Sequence, residues 1–267
     1  MQSILVFAEA GNVAEQRLQS ALDVARLTGG HVTLLFNTPV EPFISMDPFG
    51  GSYAIEGVLA EAKTREEALI AGFTERLAHE GVSFDVRTSS GPAAISLVDA
   101  AALCDLVILS LGDLDDRDSA LLVGDVAIAA PCPVLALPAE PKPLFVTGTA
   151  IVAWSGQAEG ANALRAAAPL LAHAREVKLV SITDEVDAFP STEAIEYLSR
   201  HGIHAELIQH RRGGRRVEDA LEEAAIAAGA DWIVMGAYGH SRAREMIFGG
   251  VTHHFLRSAR FPLLLDH

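Results

Sequence analysis

The sequence contains the same series of apolar runs twice. Residues 105–110 (DLVILS) match residues 231–236 (DWIVMG), and residues 130–137 (APCPVLAL) match residues 259–266 (ARFPLLLD). The opening run at residues 4–7 (ILVF) likewise matches residues 151–154 (IVAW), and the order of the runs is the same in both halves. A sequence that repeats one series of elements predicts two tandem domains of similar fold.

A short proline-rich segment separates the two copies. Pro138, Pro141 and Pro143 disfavour a helix and predict a stiff connector, so we predict domains at residues 1–140 and 146–267. The first copy has 21 more residues than the second between the first and fourth runs, because Ile4 lies 147 residues before Ile151 but Asp105 only 126 before Asp231. Prolines and glycines place this surplus at about residues 39–60, as a loop that runs into a helix.

Apolar runs alternate with helical periodicity within each copy. Continuous apolar runs, rather than alternating apolar and polar residues, are typical of parallel strands that helices cover on both faces. We therefore predict an α/β fold of two doubly wound, Rossmann-like domains, each with a five-stranded parallel sheet flanked by helices. In the second copy the predicted strands are residues 149–154, 177–182, 204–209, 232–235 and 262–265, and the predicted helices are residues 158–174, 191–201, 216–228 and 250–258.

The charge of the chain limits its partners. Its 267 residues carry a formal net charge of -15, which repels phosphate backbones and anionic lipid, so we expect no nucleic-acid or membrane partner. The sequence has no apolar window long enough for a spanning helix and does not open like a signal peptide, so we expect a cytoplasmic location. Cys104 and Cys132 are too few for a disulfide framework and are predicted to pack as small apolar residues. The adjacent His253 and His254 lie about 100° apart on a helix, so we predict no metal site there.

Four glycines follow the fourth apolar run of the second copy. Gly236 and Gly239 come directly after that run, and Gly249 and Gly250 precede the last predicted helix. Backbone amides of such a loop, together with a helix N-terminus, can bind phosphate. The same glycines could instead serve only turns and a helix cap. The Walker A and Rossmann glycine motifs are absent from the sequence.

This glycine pattern resembles that of the universal stress protein family. Gly236-Ala-Tyr-Gly239, nine further residues, Gly249, and then Gly250-Val-Thr are similar to the Gly-x-x-Gly-x9-Gly-Ser/Thr motif of the ATP-binding members. The resemblance extends over the whole chain as two tandem domains. It implies an internal pseudo-dimer in which the fifth strands, residues 134–137 and 263–265, form the contact, or self-association through these strands.

The resemblance also implies which residues bind a ligand. Met235 and Gly236 would lie against the ribose and adenosine, whereas Gly239, Gly249, Gly250, Val251 and Thr252 would surround the phosphates. Ser155 stands at the end of the first strand, where the family places an Asp near the base and ribose. The implied ligand is ATP or AMP, with or without Mg²⁺, in the second domain only.

Two departures from the family pattern affect the expected affinity. Gly250 replaces Ser or Thr, so one hydroxyl contact to phosphate is lost. The first copy has Ser110, Asp113 and Asp125 where the second has Gly236, Gly239 and Gly250. Because carboxylates repel phosphates, we predict that the first domain has lost nucleotide binding. The acidic residues of this part of the first copy could form an exposed loop or a metal-bridged site, and the sequence leaves both alternatives open.

The sequence therefore predicts a stress-response protein whose second domain binds an adenine nucleotide as a sensor or regulator. No nucleophile, base and orienting group converge, so we expect little or no turnover. Two alternatives are an interaction module that binds no nucleotide, and slow ATP hydrolysis by a magnesium-bound water.

Overall fold

The structure is a computed structural model, and it describes residues 1–9, 12–38, 52–112, 117–139, 144–182, 190–237, 250–258 and 260–267. The chain divides into two compact units, residues 1–108 and residues 109–267. The domain limits at residues 140 and 146 stay a prediction. In the ranges just given, no helix is both long and apolar enough to cross a membrane.

The first unit has four parallel strands in the order β3-β2-β1-β4. The predicted surplus segment, about residues 39–60, includes the first part of the long helix α2 (Ser52–Leu77), and residues 39–51 lie outside the described residues. The elements are β1 (Ser3–Ala8), α1 (Asn12–Thr28), β2 (His31–Thr38), α2 (Ser52–Leu77), β3 (Phe84–Ser90), α3 (Ala93–Ala100) and β4 (Leu106–Ser110), of which β4 ends in the second unit.

The second unit has the strand order β5-β10-β9-β6-β7-β8, and one helix lies between each two consecutive strands from β6 to β10. The four pairings from β10 to β8 are parallel, and the pairing of β5 with β10 is antiparallel. The elements are α4 (Arg117–Ala129), β5 (Val134–Leu137), β6 (Thr149–Trp154), α5 (Ala158–Leu171), β7 (Glu176–Ile182), α6 (Ser191–Arg200), β8 (Ala205–His210), α7 (Val217–Ala227), β9 (Trp232–Gly236), α8 (Gly250–Ser258) and β10 (Leu263–Asp266).

The predicted α/β fold with a mostly parallel sheet is confirmed. The predicted bounds of β6 and α8 agree with the structure, and the other strands of the second copy shift by about one residue. The helix predicted at residues 158–174 ends earlier, at Leu171. There the amides of His173 and Ala174 donate to carbonyls three residues back, so the chain tightens into a turn and leaves the helix.

The fifth strands of the two copies pair with each other. Leu263, Leu264 and Leu265 of β10 stand opposite Ala136, Leu135 and Val134 of β5, and all six side chains are fully buried. The other edge of β10 pairs with β9. Both edges of β10 are therefore used within the second unit.

An aspartate before the fourth strand of each copy fixes the start of the first strand. Asp231 Oδ2 accepts a hydrogen bond from the amide of Thr149 at 2.7 Å, and the Asp231 amide donates to the Thr149 carbonyl at 2.9 Å. Asp105 Oδ2 accepts from the amides of Gln2 and Ser3 at 2.6 and 3.1 Å. The Asp that repeats in the sequence thus caps the first strand by hydrogen bonds, at the end of the sheet opposite the glycine motif.

Candidate functional site

A cavity of about 320 Å³ lies in the second unit, at the C-terminal ends of β6, β7 and β9. This edge is where open parallel sheets bind ligands, because the chain leaves neighbouring strands toward opposite faces there. The first turns of α5 and α8 and one face of α7 complete the wall. Its volume falls at the lower end of the range of small-molecule sites.

Six of the residues that the sequence singles out for ligand binding line this one cavity. They come from three separate segments and are Ser155, Met235, Gly236, Gly250, Val251 and Thr252. Gly239 and Gly249, the two other predicted ligand residues, lie outside the described residues. The binding role of all eight stays a prediction, but the fold brings the six described residues together.

Gly236 is required for close packing of α5 against β9. A Cβ atom at Gly236 would lie 2.7 Å from both the carbonyl carbon of Glu159 and the amide nitrogen of Gly160, closer than real Cβ contacts. A Cβ at Gly160 would lie 3.1 Å from Ser155 Oγ. Gly236 is not among the glycines with positive φ. Its role here is therefore neither a turn nor a helix cap, but the approach of one backbone to another.

The α5 side of the cavity is polar. Gln157 is the N-cap of α5 but its side chain makes no capping hydrogen bond, and Glu159 lies in the first turn. Glu159 is 8% exposed and lines the cavity together with Ser155. The partial positive charge of a helix N-terminus favours a carboxylate in this position.

The α8 side offers a hydroxyl and a helix N-terminus. Thr252 lies in the first turn of α8 and is 4% exposed. A Cβ at Gly250 would lie 3.6 Å from Glu218 Oε1, and Arg216 Nε forms an ion pair with this oxygen at 3.1 Å. A partly neutralised carboxylate thus stands beside the amides that the sequence predicts to bind phosphate.

Helix α8 is held on α7 by a cluster of charged groups. His254 Nε2 lies 2.7 Å from Glu222 Oε2, and Arg260 Nη1 lies 3.1 Å from Glu222 Oε1. The neighbouring His253 has a lowered pKa, because of burial first and then the charges of Arg257 and His254. The cluster fixes the helix that carries Gly250, Val251 and Thr252.

The universal stress protein family pattern matches this chain twice, at residues 1–138 and 148–267. The chain belongs to the universal stress protein family. Similarity to individual proteins is low, and no curated protein gives a significant match.

Two solved structures of universal stress proteins share the fold of this chain over nearly its whole length. A universal stress protein from Archaeoglobus fulgidus DSM 4304 has a TM-score of 0.76 and 13% identity, over 99% of this chain and 96% of that one. A putative universal stress protein from Pseudomonas aeruginosa UCBPP-PA14 has a TM-score of 0.59 and 16% identity, over 100% and 93% of the two chains. A universal stress protein in complex with cAMP has a TM-score of 0.33 and 18% identity, over 51% and 95%.

In the first universal stress protein repeat, a buried arginine occupies the end of β1. Arg17 of α1 is 2% exposed, and it donates to the Phe7 carbonyl oxygen and, at 2.8 Å, to Glu9 Oε1. Burial lowers the pKa of Arg17, while Glu9 opposes the shift. When Ile4 is matched to Ile151, Gly156 and Leu164 replace Glu9 and Arg17 in the second repeat. The two repeats therefore differ at this strand end as well as in the glycine motif.

Several cavity residues were not identified from the sequence. Val180 and Ile182 are two residues apart on β7, and Val217 and Leu221 are four apart on α7, so each pair shares one face of its element. Their periodicity was visible, but it indicates only that they are buried, and not that they face a cavity. Gln157 and Glu159 follow the first strand of the copy, a position that could have indicated them.

Proposed function

We propose that this universal stress protein binds an adenine nucleotide in the cavity of its second unit, as a sensor or regulator and not as an enzyme. One observation carries the proposal. Three sequence segments, containing Ser155, the pair Met235 and Gly236, and residues 250–252, converge on the same cavity. The sequence motif alone indicates these segments as ligand-binding, so their convergence on one cavity supports a shared ligand.

The chemistry of the cavity wall fits a nucleotide. Val180, Ile182, Val217 and Leu221 supply an apolar wall suited to a flat base. The N-termini of α5 and α8 supply amide donors at the cavity wall, and Thr252 adds a hydroxyl group. An apolar wall with a few convergent polar groups is the usual composition of a cofactor site.

Calorimetric titration tests this proposal. The full chain is titrated with ATP, AMP and cAMP, each with and without Mg²⁺, and we expect saturable heat with at least one of the adenine nucleotides. Mass spectrometry of the small molecules released on denaturing freshly purified protein identifies a ligand that co-purifies. The absence of binding to all three nucleotides would overturn the proposal.

Replacing Thr252 by Val should weaken nucleotide binding about tenfold or more. The substitution removes only a hydroxyl, and a hydrogen bond to a charged group contributes about 1.5–3 kcal/mol. The measurement compares the Kd of AMP and of adenosine for wild type and T252V. We expect the AMP value to rise and the adenosine value to stay constant, because adenosine has no phosphate. An equal change for both ligands would contradict a phosphate contact.

Replacing Glu218 by Gln should strengthen ATP binding about fivefold. Glu218 is 16% exposed in its side chain and stands beside Gly250, and removal of one like charge near a phosphate is worth on the order of 1 kcal/mol in water. Arg216 keeps its ion pair with Asp219 in this variant, at 3.2 Å between Nε and Oδ2. Glu193→Gln is the matched control, since Glu193 is an exposed acid in the first turn of α6 that does not line the cavity. We expect E193Q to bind ATP as wild type does.

The pairing of β5 with β10 bears on the alternative of an interaction module. Backbone groups on both edges of β10 are already hydrogen-bonded, so this strand has no edge left for a second copy of the chain. Ligand binding is therefore the function that the described residues support best. We further propose a cytoplasmic location.

A further inference from the structure

The position of Glu159 is fixed by backbone packing. Gly236 and Gly160 let the first turn of α5 approach the end of β9 and Ser155. A Cβ at Gly236 would lie 3.0 Å from Glu159 Cβ, so the base of the Glu159 side chain lies directly beside the end of β9. Its side chain is buried and lines the cavity. The Glu159 side chain thus lies at the cavity wall, with its Oε2 atom fully buried, and it is not a solvated side chain on a helix surface.

The strand order separates the polar and apolar sides of the cavity. Glu159 and Gly236 belong to the β9 side, whereas Val180 and Ile182 belong to β7, which is two strands away across β6. Neighbouring strands are about 4.8 Å apart, so the apolar wall of β7 lies about 10 Å from the end of β9. A base packed against the apolar wall would therefore extend its sugar toward Glu159.

A carboxylate is the group that binds the two vicinal hydroxyls of a ribose. A carboxylate only accepts hydrogen bonds, and each of its oxygens has two lone pairs, so a single oxygen can accept from both hydroxyls. Dinucleotide-binding folds of the same doubly wound type use an acidic residue on the ribose 2′-hydroxyl in this way. Phosphate on this side of the cavity would instead be repelled by Glu159, and this favours phosphate on the α8 side with Thr252.

We propose that Glu159 accepts hydrogen bonds from the ribose 2′- and 3′-hydroxyls of the ligand, and so restricts the site to ribonucleosides and ribonucleotides with a free cis-diol. Glu159 thereby supplies the carboxylate that is missing at Ser155. The inference rests on the proposed function, because it assigns one part of the same adenine nucleotide to a residue of this chain.

The test is a thermodynamic cycle that combines removal of a ribose hydroxyl from the ligand with replacement of the Glu159 side chain. AMP, 2′-deoxy-AMP and 3′-deoxy-AMP are titrated by calorimetry into the full-length wild type, E159Q and the control E193Q. For wild type and E193Q we expect AMP to bind about tenfold or more tightly than either deoxy ligand. For E159Q, in which a neutral amide replaces the carboxylate, we expect the AMP affinity to fall. The two ratios of AMP affinity to deoxy-ligand affinity should then approach one.

The outcomes separate this inference from the proposed function. If wild type binds all three ligands equally, the inference is overturned whether or not E159Q folds. It is also overturned if E159Q keeps the wild-type ratios, or if it binds AMP more tightly with unchanged ratios, which would mean that Glu159 only repels phosphate. If wild type binds neither AMP nor any other adenine nucleotide, the proposed function itself fails.

Discussion

Replacing Gly236 by Ala should abolish measurable nucleotide binding and lower the free energy of unfolding by about 1–3 kcal/mol, the usual cost of forcing a carbon into a packed interior. The added Cβ would lie 2.7 Å from two backbone atoms of α5, and neither can move without displacing the first turn of that helix. This turn carries Glu159, so the polar side of the cavity is displaced together with it. Urea denaturation and calorimetry with AMP measure the two effects.

Gly72→Ala is the control for a glycine-to-alanine change. Gly72 lies inside α2, and a Cβ there would meet nothing within 4 Å. We expect G72A to bind AMP normally and to be more stable by about 0.5–1 kcal/mol, because alanine loses less entropy in a helix. Normal AMP binding and normal stability in G236A would show that α5 does not pack against β9 as described.

Replacing Asp231 by Ala should lower the free energy of unfolding by about 1–3 kcal/mol. The Thr149 amide that donates to Asp231 belongs to a residue that is 2% exposed, and a buried donor without an acceptor carries the full desolvation penalty. Gly148 makes this bond possible, because a Cβ there would lie 2.0 Å from Asp231 Oδ2. Urea denaturation followed by tryptophan fluorescence measures the change, since Trp232 is buried next to the site of substitution.

Asp105→Ala provides the matched comparison in the first unit. Asp105 accepts from two amides, but those hydrogen bonds are exposed, so water can replace the carboxylate. We expect D105A to be less destabilised than D231A. If D105A were equally or more destabilised, burial of the donor amide would not set the cost of losing this carboxylate.

The fold was predictable from the sequence because the first, fourth and fifth strands of the second copy are apolar runs with matching runs in the first copy. The strand at residues 149–154 and the helix at residues 250–258 could be assigned from the sequence alone. The first is a short apolar run, and the second has apolar residues three and four positions apart. The end of α5 could not, because tightening at His173 depends on backbone hydrogen bonds and not on side-chain type.

The candidate site was predictable only in part. Gly250 and Thr252 stand in a motif with fixed spacing, so the resemblance to the family indicated them. Glu159, Val217 and Leu221 reach the same cavity by the packing of α5 and α7 on the sheet, which no local pattern encodes. The sequence placed Gly236 at the candidate site, but it did not indicate that glycine is needed there for the close packing of α5.

The repeat of the family pattern and the compact unit of the structure differ in this chain. The family pattern ends its first match at residue 138, whereas the second compact unit already begins at Leu109. β5 lies in the first match of the family pattern, but it hydrogen-bonds to the last strand of the second. A fragment that begins between the two matches would therefore lack a strand, so separate expression of the half that contains the cavity should begin near residue 109.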